Sequence, residues 1–279
     1  IRDSAESAHI AAVASRSGRV DPRWAHAAVD DYDDVLAHPD VDAVYLPLPN
    51  GMHRRWTERA AAAGKHVLCE KPLAPDPATA AAMAAVCRDA GVLLAEAYMT
   101  PFHRRYAHLL SMVAGGAVGE VETVDARFTF TIGPDAADNY RWDPDEGGGA
   151  LLDVGIYCLG PIVELFGDDP DHVESGCTQA ATGVDAETHA MLTWPGRRHG
   201  VIQCSFVDDE QQYLSIVGTG GRVVIDHQAF TGGDDADDPY LAMVESFAAA
   251  VRGTAEWPRP VERSIQMLQL IERIREAAR

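Results

Sequence analysis

Two clusters in this chain have residue types and spacing suited to chemistry. The first is Cys69-Glu70-Lys71-Pro72, at the end of the run Lys65 to Cys69. Pro72 confines Lys71 to extended geometry, which would hold its ammonium in one direction at the end of a strand. Lysine occurs only twice, at Lys65 and Lys71, while arginine supplies the other 21 of the 23 basic residues. Lys71 offers what arginine cannot, a compact ammonium able to sit beside a reacting hydroxyl and tune its proton affinity; the alternative is a surface lysine after a strand. The second cluster is Gly147-Gly148-Gly149 and the apolar run that follows it. These glycines allow a ligand to approach the backbone before a helix starts. Asp153 and Tyr157, four apart, share one helical face with Ala150 and Gly160, which suits a pocket wall. The alternative is a core tyrosine whose hydroxyl bonds Asp153.

The elements that must position these groups alternate in type. His9 to Ala14 reads as a buried strand, Asp40 to Leu48 as another, His53 to Ala63 as a helix and Lys65 to Cys69 as a third strand. Asp76 to Ala90 is an Ala-rich helix leading to strand Val92 to Glu96. Strands separated by helices imply a parallel doubly wound sheet, with ligand beyond the carboxyl ends of the strands. Those ends are Ala14-Ser15-Arg16, Pro47-Leu48-Pro49-Asn50, Glu70-Lys71-Pro72 and Glu96-Ala97-Tyr98. After about residue 120 the pattern becomes strands with Gly-rich turns: Glu120 to Thr131, His189 to Trp194, Gly200 to Val207, Gln212 to Val217 and Gly221 to His227. These predict an antiparallel sheet with one face covered, accompanied by helices over Ala150 to Phe166, Pro239 to Val251 and Val261 to Ala278. The expected fold is α/β: a dinucleotide-binding domain over 1–100, then a second domain over 101–279.

A dinucleotide fold normally opens with a strand and a G-x-G-x-x-G turn, and neither is in the sequence, so the expectation is that the native N-terminus is lacking. Gly218-Thr219-Gly220-Gly221 is no substitute, because it lies between two strand patterns and reads as a hairpin turn. Ser15-Arg16-Ser17 follows the strand whose end normally meets the adenine ribose. An acidic residue there would bind a 2′-hydroxyl, whereas arginine with flanking hydroxyls suits a 2′-phosphate, so NADP is preferred over NAD. Pro47-Leu48-Pro49-Asn50-Gly51-Met52-His53 is either a plain turn or a proline-stiffened wall for a planar ring.

Composition narrows the function classes. With 43 acidic residues against 23 basic and a formal charge of -20, the chain repels phosphate backbones and anionic membranes, and its basic residues gather only in pairs. Five scattered cysteines with no C-x-x-C spacing point to reduced thiols in the cytoplasm. The eleven histidines form no metal-binding spacing, and neither a signal sequence nor a spanning segment is evident, so no metal, membrane or nucleic-acid partner is expected.

Taken in order, P-L-P-N-x-x-H, then C-E-K-P, then G-G-G-A-L-L-D-V-G-I-Y resemble the glucose-fructose oxidoreductase and inositol dehydrogenase family, Gfo/Idh/MocA, over essentially the whole chain. The resemblance implies a Rossmann domain followed by an α/β domain whose open, mostly antiparallel sheet serves in oligomer contacts, giving a homodimer or homotetramer. It makes Lys71 the catalytic lysine and Asp153 the helix aspartate, and puts Tyr157 where many members have histidine, as in the branch with NADP-dependent sugar 3-ketoreductases. Asn50, His53, Glu70, Arg141 and Trp142 match positions around the nicotinamide half, and Ser15, Arg16, Ser17, Pro47 and Leu48 complete the expected cofactor contacts. The expected reaction is NADPH-dependent reduction of a ketone on a sugar, free or nucleotide-linked. Tyr157 would donate the proton, its pKa lowered by Lys71, and Tyr98, Arg104, Tyr140 and Asp153 would meet the substrate. A nucleotide-linked substrate would need a positive rim from Arg104, Arg105 or Arg141 to offset the chain's charge. The alternatives are an NADP-dependent sugar or dihydrodiol dehydrogenase and a non-catalytic cofactor-binding regulator.

Overall fold

The computed structural model describes residues 5–133, 136, 139–232 and 238–279. The first part is a parallel three-stranded sheet, β1 (Ala43–Leu46), β2 (His66–Glu70) and β3 (Leu94–Ala97), paired in that order. α1 (Tyr32–Ala37) precedes it, and α2 (Asn50–Ala62) and α3 (Pro77–Asp89) form the crossovers. α3 starts where its sequence dictates: Asp76 caps it by accepting the Thr79 N–H at 2.8 Å, and Pro77 occupies the first turn, where no N–H is needed. His9 to Ala14 is not a strand. Val13 makes a single parallel bridge to Ala28, with its N–H bonded to Ala27 and its carbonyl to Val29, so this apolar run joins no ladder of the sheet. An apolar run becomes a strand only where a neighbour supplies the ladder.

The second part is a six-stranded sheet in the order β5-β6-β7-β4-β8-β9, formed by β4 (Val121–Thr131), β5 (His172–Gln179), β6 (Asp185–Thr193), β7 (His199–Ser205), β8 (Val207–Gly218) and β9 (Gly221–Ile225). It is mixed rather than wholly antiparallel, because β4 runs parallel to β7. Gly218 pairs with Gly221 across the β8–β9 hairpin, so the glycine triplet is a turn. One face is covered: Val124, Ala126 and Phe128 of β4 and Ile202 and Cys204 of β7 are buried against α6 (Gly155–Phe166). The expected single helix from Ala150 is broken at Val154 into α5 (Ala150–Asp153) and α6. α4 (Arg104–Ala114) and α7 (Pro239–Val251) flank the sheets, and α8 (Val261–Ala277) packs against α3 and β3 of the first part and α6 and β5 of the second. Every residue of α6 from Gly155 to Val163 is buried, so Tyr157 lies on the helix most shielded from water.

Candidate active site

The end of β2 and the start of α6 converge. Lys71 follows β2, and its Nζ lies 2.8 Å from Asp153 Oδ1 and 2.9 Å from the Asp153 carbonyl oxygen. The other carboxylate oxygen of Asp153 accepts from Arg141 Nε at 2.6 Å. Both oxygens are thus occupied by cations, and the alternative in which Asp153 accepts the Tyr157 hydroxyl is not formed. Lys71 Nζ also stands 5.0 Å from the centre of the Tyr157 ring, over its face. The break at Val154 removes the regular helical spacing between Asp153 and Tyr157, but Lys71 contacts both.

The charges are tuned by burial and by each other. Burial pulls the Lys71 pKa down, but the charges of Tyr157 and Asp153 outweigh it and leave the ammonium above its ordinary value. Burial alone would raise Asp153, and Lys71 and Arg141 together hold its pKa below the usual carboxylate value. Tyr157 departs from expectation. Burial pushes its pKa up to about 12, with Lys71 pulling the other way without reversing the shift. The phenol is therefore a well-retained proton store rather than one poised near neutrality.

The loop carrying Asp153 is fixed from outside the motif. Asp185, at the start of β6, accepts the Leu151 N–H at 2.6 Å, and Gly149, at φ 112°, leaves room for that carboxylate, which a Cβ would strike. Nothing in the sequence around Asp185 marks this role. Asn50 donates to the Gly147 carbonyl at 3.1 Å and so ties the turn after β1 to the same loop. Glu70 receives the Tyr45 hydroxyl and, at 3.1 Å, the Lys71 N–H.

Several expected contacts have other duties. His53 has no exposed surface, and its ring nitrogens face the carbonyls of Leu48 at 2.8 Å and of Pro72 at 3.0 Å. It stitches two turns together. Tyr98, expected at the substrate, is also fully buried, packed 5.6 Å from the Tyr157 ring as its backing. Arg141 is committed to Asp153, and Trp142 stands edge-on to Phe206 at 5.4 Å. Tyr140, 41% exposed, lies under the Arg141 guanidinium at 4.7 Å, and Arg104 is an exposed residue opening α4. Arg105 is held by the carbonyls of His227 and Gln228.

A groove of about 270 Å³ at the carboxyl end of β1 brings Ser15, Arg16 and Ser17 together with Pro47, Leu48 and Pro49. Met52 of the same turn lines it as well, and so does Tyr32, which the sequence did not single out. An exposed guanidinium, two hydroxyls 3.1 Å apart and an apolar turn fit the adenosine end of a phosphorylated dinucleotide. Among the described residues no cluster of metal-ligating side chains occurs, and no helix is long and apolar enough to cross a membrane.

Residues 1–98 match the family described as an oxidoreductase family with an NAD-binding Rossmann fold, and residues 106–224 match the GFO/IDH/MocA C-terminal domain. A D-xylose 1-dehydrogenase (NADP(+)) from Haloferax volcanii is 36% identical over 96% of this chain and 89% of its own length. A dTDP-3,4-didehydro-2,6-dideoxy-alpha-D-glucose 3-reductase from Streptomyces violaceoruber is 40% identical over 77% of this chain and 64% of its own. Among solved structures, a 3-ketoreductase from Actinomadura kijaniata in complex with NADP and TDP-benzene superposes with a TM-score of 0.81 at 30% identity, over 90% of this chain and 83% of that one.

Proposed function

The chain belongs to the Gfo/Idh/MocA family of oxidoreductases, and from that premise we propose that it moves a hydride between NADP(H) and a carbonyl carbon of a sugar. The observation that carries the reading is the Lys71 ammonium, 2.8 Å from Asp153 Oδ1 and over the face of Tyr157, at the end of a Rossmann strand. Ser15, Arg16, Ser17, Pro47 and Leu48 would hold the adenosine half of the cofactor, with Arg16 at the 2′-phosphate. When bound, the reduced nicotinamide supplies the hydride. Tyr157 supplies the proton to the developing alkoxide, and Lys71 stabilises negative charge at that oxygen. Asp153 fixes the ammonium, while Arg141 balances Asp153 so that its charge does not cancel that of Lys71.

An uncharged sugar is favoured over a nucleotide-linked one. A diphosphate would need a positive rim, yet Arg141 is paired with Asp153 and the chain carries a charge of -20, which leaves only Arg104 and Arg105 of the three expected guanidiniums to supply it. The similarity to a D-xylose dehydrogenase across nearly the whole chain supports this choice, and also supports sugar oxidation as the working direction, in which Tyr157 acts in reverse, as the phenolate base.

Tyr157→Phe and Lys71→Ala should each lower turnover of uncharged aldoses by about 10² or more while leaving NADPH affinity nearly intact, the usual weight of a general acid and its partner. Losses under tenfold would sink the assignment. In a fluorescence titration, Arg16→Ala should weaken NADPH binding by about tenfold, near 1.4 kcal/mol, and leave NADH binding unchanged. Equal losses for both cofactors would remove Arg16 from the 2′-phosphate.

A further inference from the structure

We propose that Glu96 and Arg259 are positioning residues, a buried clamp that sets Lys71 and Tyr157 from behind. Glu96, near the end of β3, is 2% exposed, and Arg259, just before α8, is 7% exposed. Arg259 Nη1 donates to Glu96 Oε2 at 2.8 Å and to Ser264 Oγ at 2.7 Å, and Ser264 Oγ donates to Glu96 Oε2 at 2.7 Å. Two arms lead from this pair to the site. Through the other oxygen, Glu96 accepts the Leu73 N–H at 2.8 Å, two residues beyond Lys71, and so anchors the turn from which the ammonium projects. Through its flat face, Arg259 lies 4.9 Å from the centre of the Tyr98 ring, which in turn backs the Tyr157 ring at 5.6 Å.

A carboxylate and a guanidinium taken out of water are a poor investment for stability alone, since apolar residues of similar volume often do as well. What apolar residues cannot do is bond the Leu73 N–H and orient Tyr98 at the same time. The clamp touches neither substrate nor cofactor. Its functional meaning rests on the proposed roles of Lys71 and Tyr157, but its structural claim can be read without any substrate.

Because the chain holds only two lysines, a lysine-specific ¹⁵N label reports two side-chain ammonium groups. Lys65 Nζ, bonded to the Val41 carbonyl at 2.6 Å, serves as the internal reference, and Lys65→Arg assigns the pair. Glu96→Gln and Arg259→Lys should each displace the Lys71 resonance and leave that of Lys65 in place. With an uncharged aldose that the wild type oxidises, the same variants should lower kcat by about tenfold or more with NADPH affinity unchanged, because small misplacements of reacting groups are costly. Should either variant fail to fold, Ser264→Ala removes one donor from Glu96, keeps the pair, and should displace the Lys71 signal by less. Folded variants that melt earlier but keep the Lys71 resonance and kcat would overturn the clamp and leave a stabilising ion pair. A wild type that oxidises no sugar would count against the proposed function alone, since the Lys71 resonance still decides the clamp.

Discussion

At the scale of the residue, the decisive quantity is the proton on Tyr157. Its pKa, pushed up to about 12 by burial against the pull of Lys71, keeps the phenol protonated through neutral pH. The acid on which the proposed carbonyl reduction draws is then present throughout that range. The phenolate needed for alcohol oxidation grows about tenfold per pH unit below the pKa, so the oxidative rate should climb steadily from pH 7 to 10 while the reductive rate stays level. Rate profiles measured in both directions with saturating cofactor check this. An oxidative rate that levels off near neutrality would mean that the bound cofactor or substrate lowers the phenol, or that another group is the base. Asp153 does not set the slope, since Lys71 and Arg141 hold it ionised below the usual carboxylate value.

At the scale of the element, the site depends on how closely α6 approaches its neighbours. A Cβ on Gly160 would fall 2.9 Å from Tyr98 Cζ and strike its hydroxyl. Tyr98 is wedged between Arg259 and Tyr157 and has nowhere to go. Gly160→Ala should therefore cost about 1–3 kcal/mol by overpacking and reduce turnover as well. Gly133→Ala, where no atom of the described residues lies within 4 Å of the new methyl, should do neither, and thermal melts of the two variants make the comparison. Much of this level was legible in the sequence. The rarity of lysine singled out Lys71, the polar pair on an apolar run marked Asp153 and Tyr157, and the glycine triplet between two strands read correctly as a turn. Most of what escaped reading depends on distant partners. His9 to Ala14 has the composition of a strand but no ladder. β5, HVESGCTQ, was missed because it lacks a regular apolar alternation, its pairing coming from β6. α4 went unread although Tyr106, Leu109 and Val113, all buried, follow a helical period. Asp185, Glu96 and Arg259 carry no local signal, since each gains its role from a residue far along the chain.

At the scale of the whole molecule, a charge of -20 is spread over 13536 Å² of surface, so exposed carboxylates repel one another across the fold. Screening shortens that repulsion, whereas the Lys71–Asp153 and Arg259–Glu96 pairs are too buried to weaken much. The melting temperature should rise by about 4 °C, or about 1–2 kcal/mol, between low salt and 1 M NaCl. A fall in calorimetric melts would mean that surface ion pairs outweigh the repulsion. The clamp also bears on the order in which the protein is made. Glu96 and Arg259 lie 163 residues apart, so Arg259 leaves the ribosome well after the first sheet has been made. Until then the carboxylate on β3 lacks its guanidinium, the Tyr98 face lacks its lid, and α8 has not yet joined the two sheets. The first sheet can pair its strands early, yet the turn carrying Lys71 acquires its final seat only once Arg259 and α8 have emerged, so a nascent chain can collapse before that turn is set.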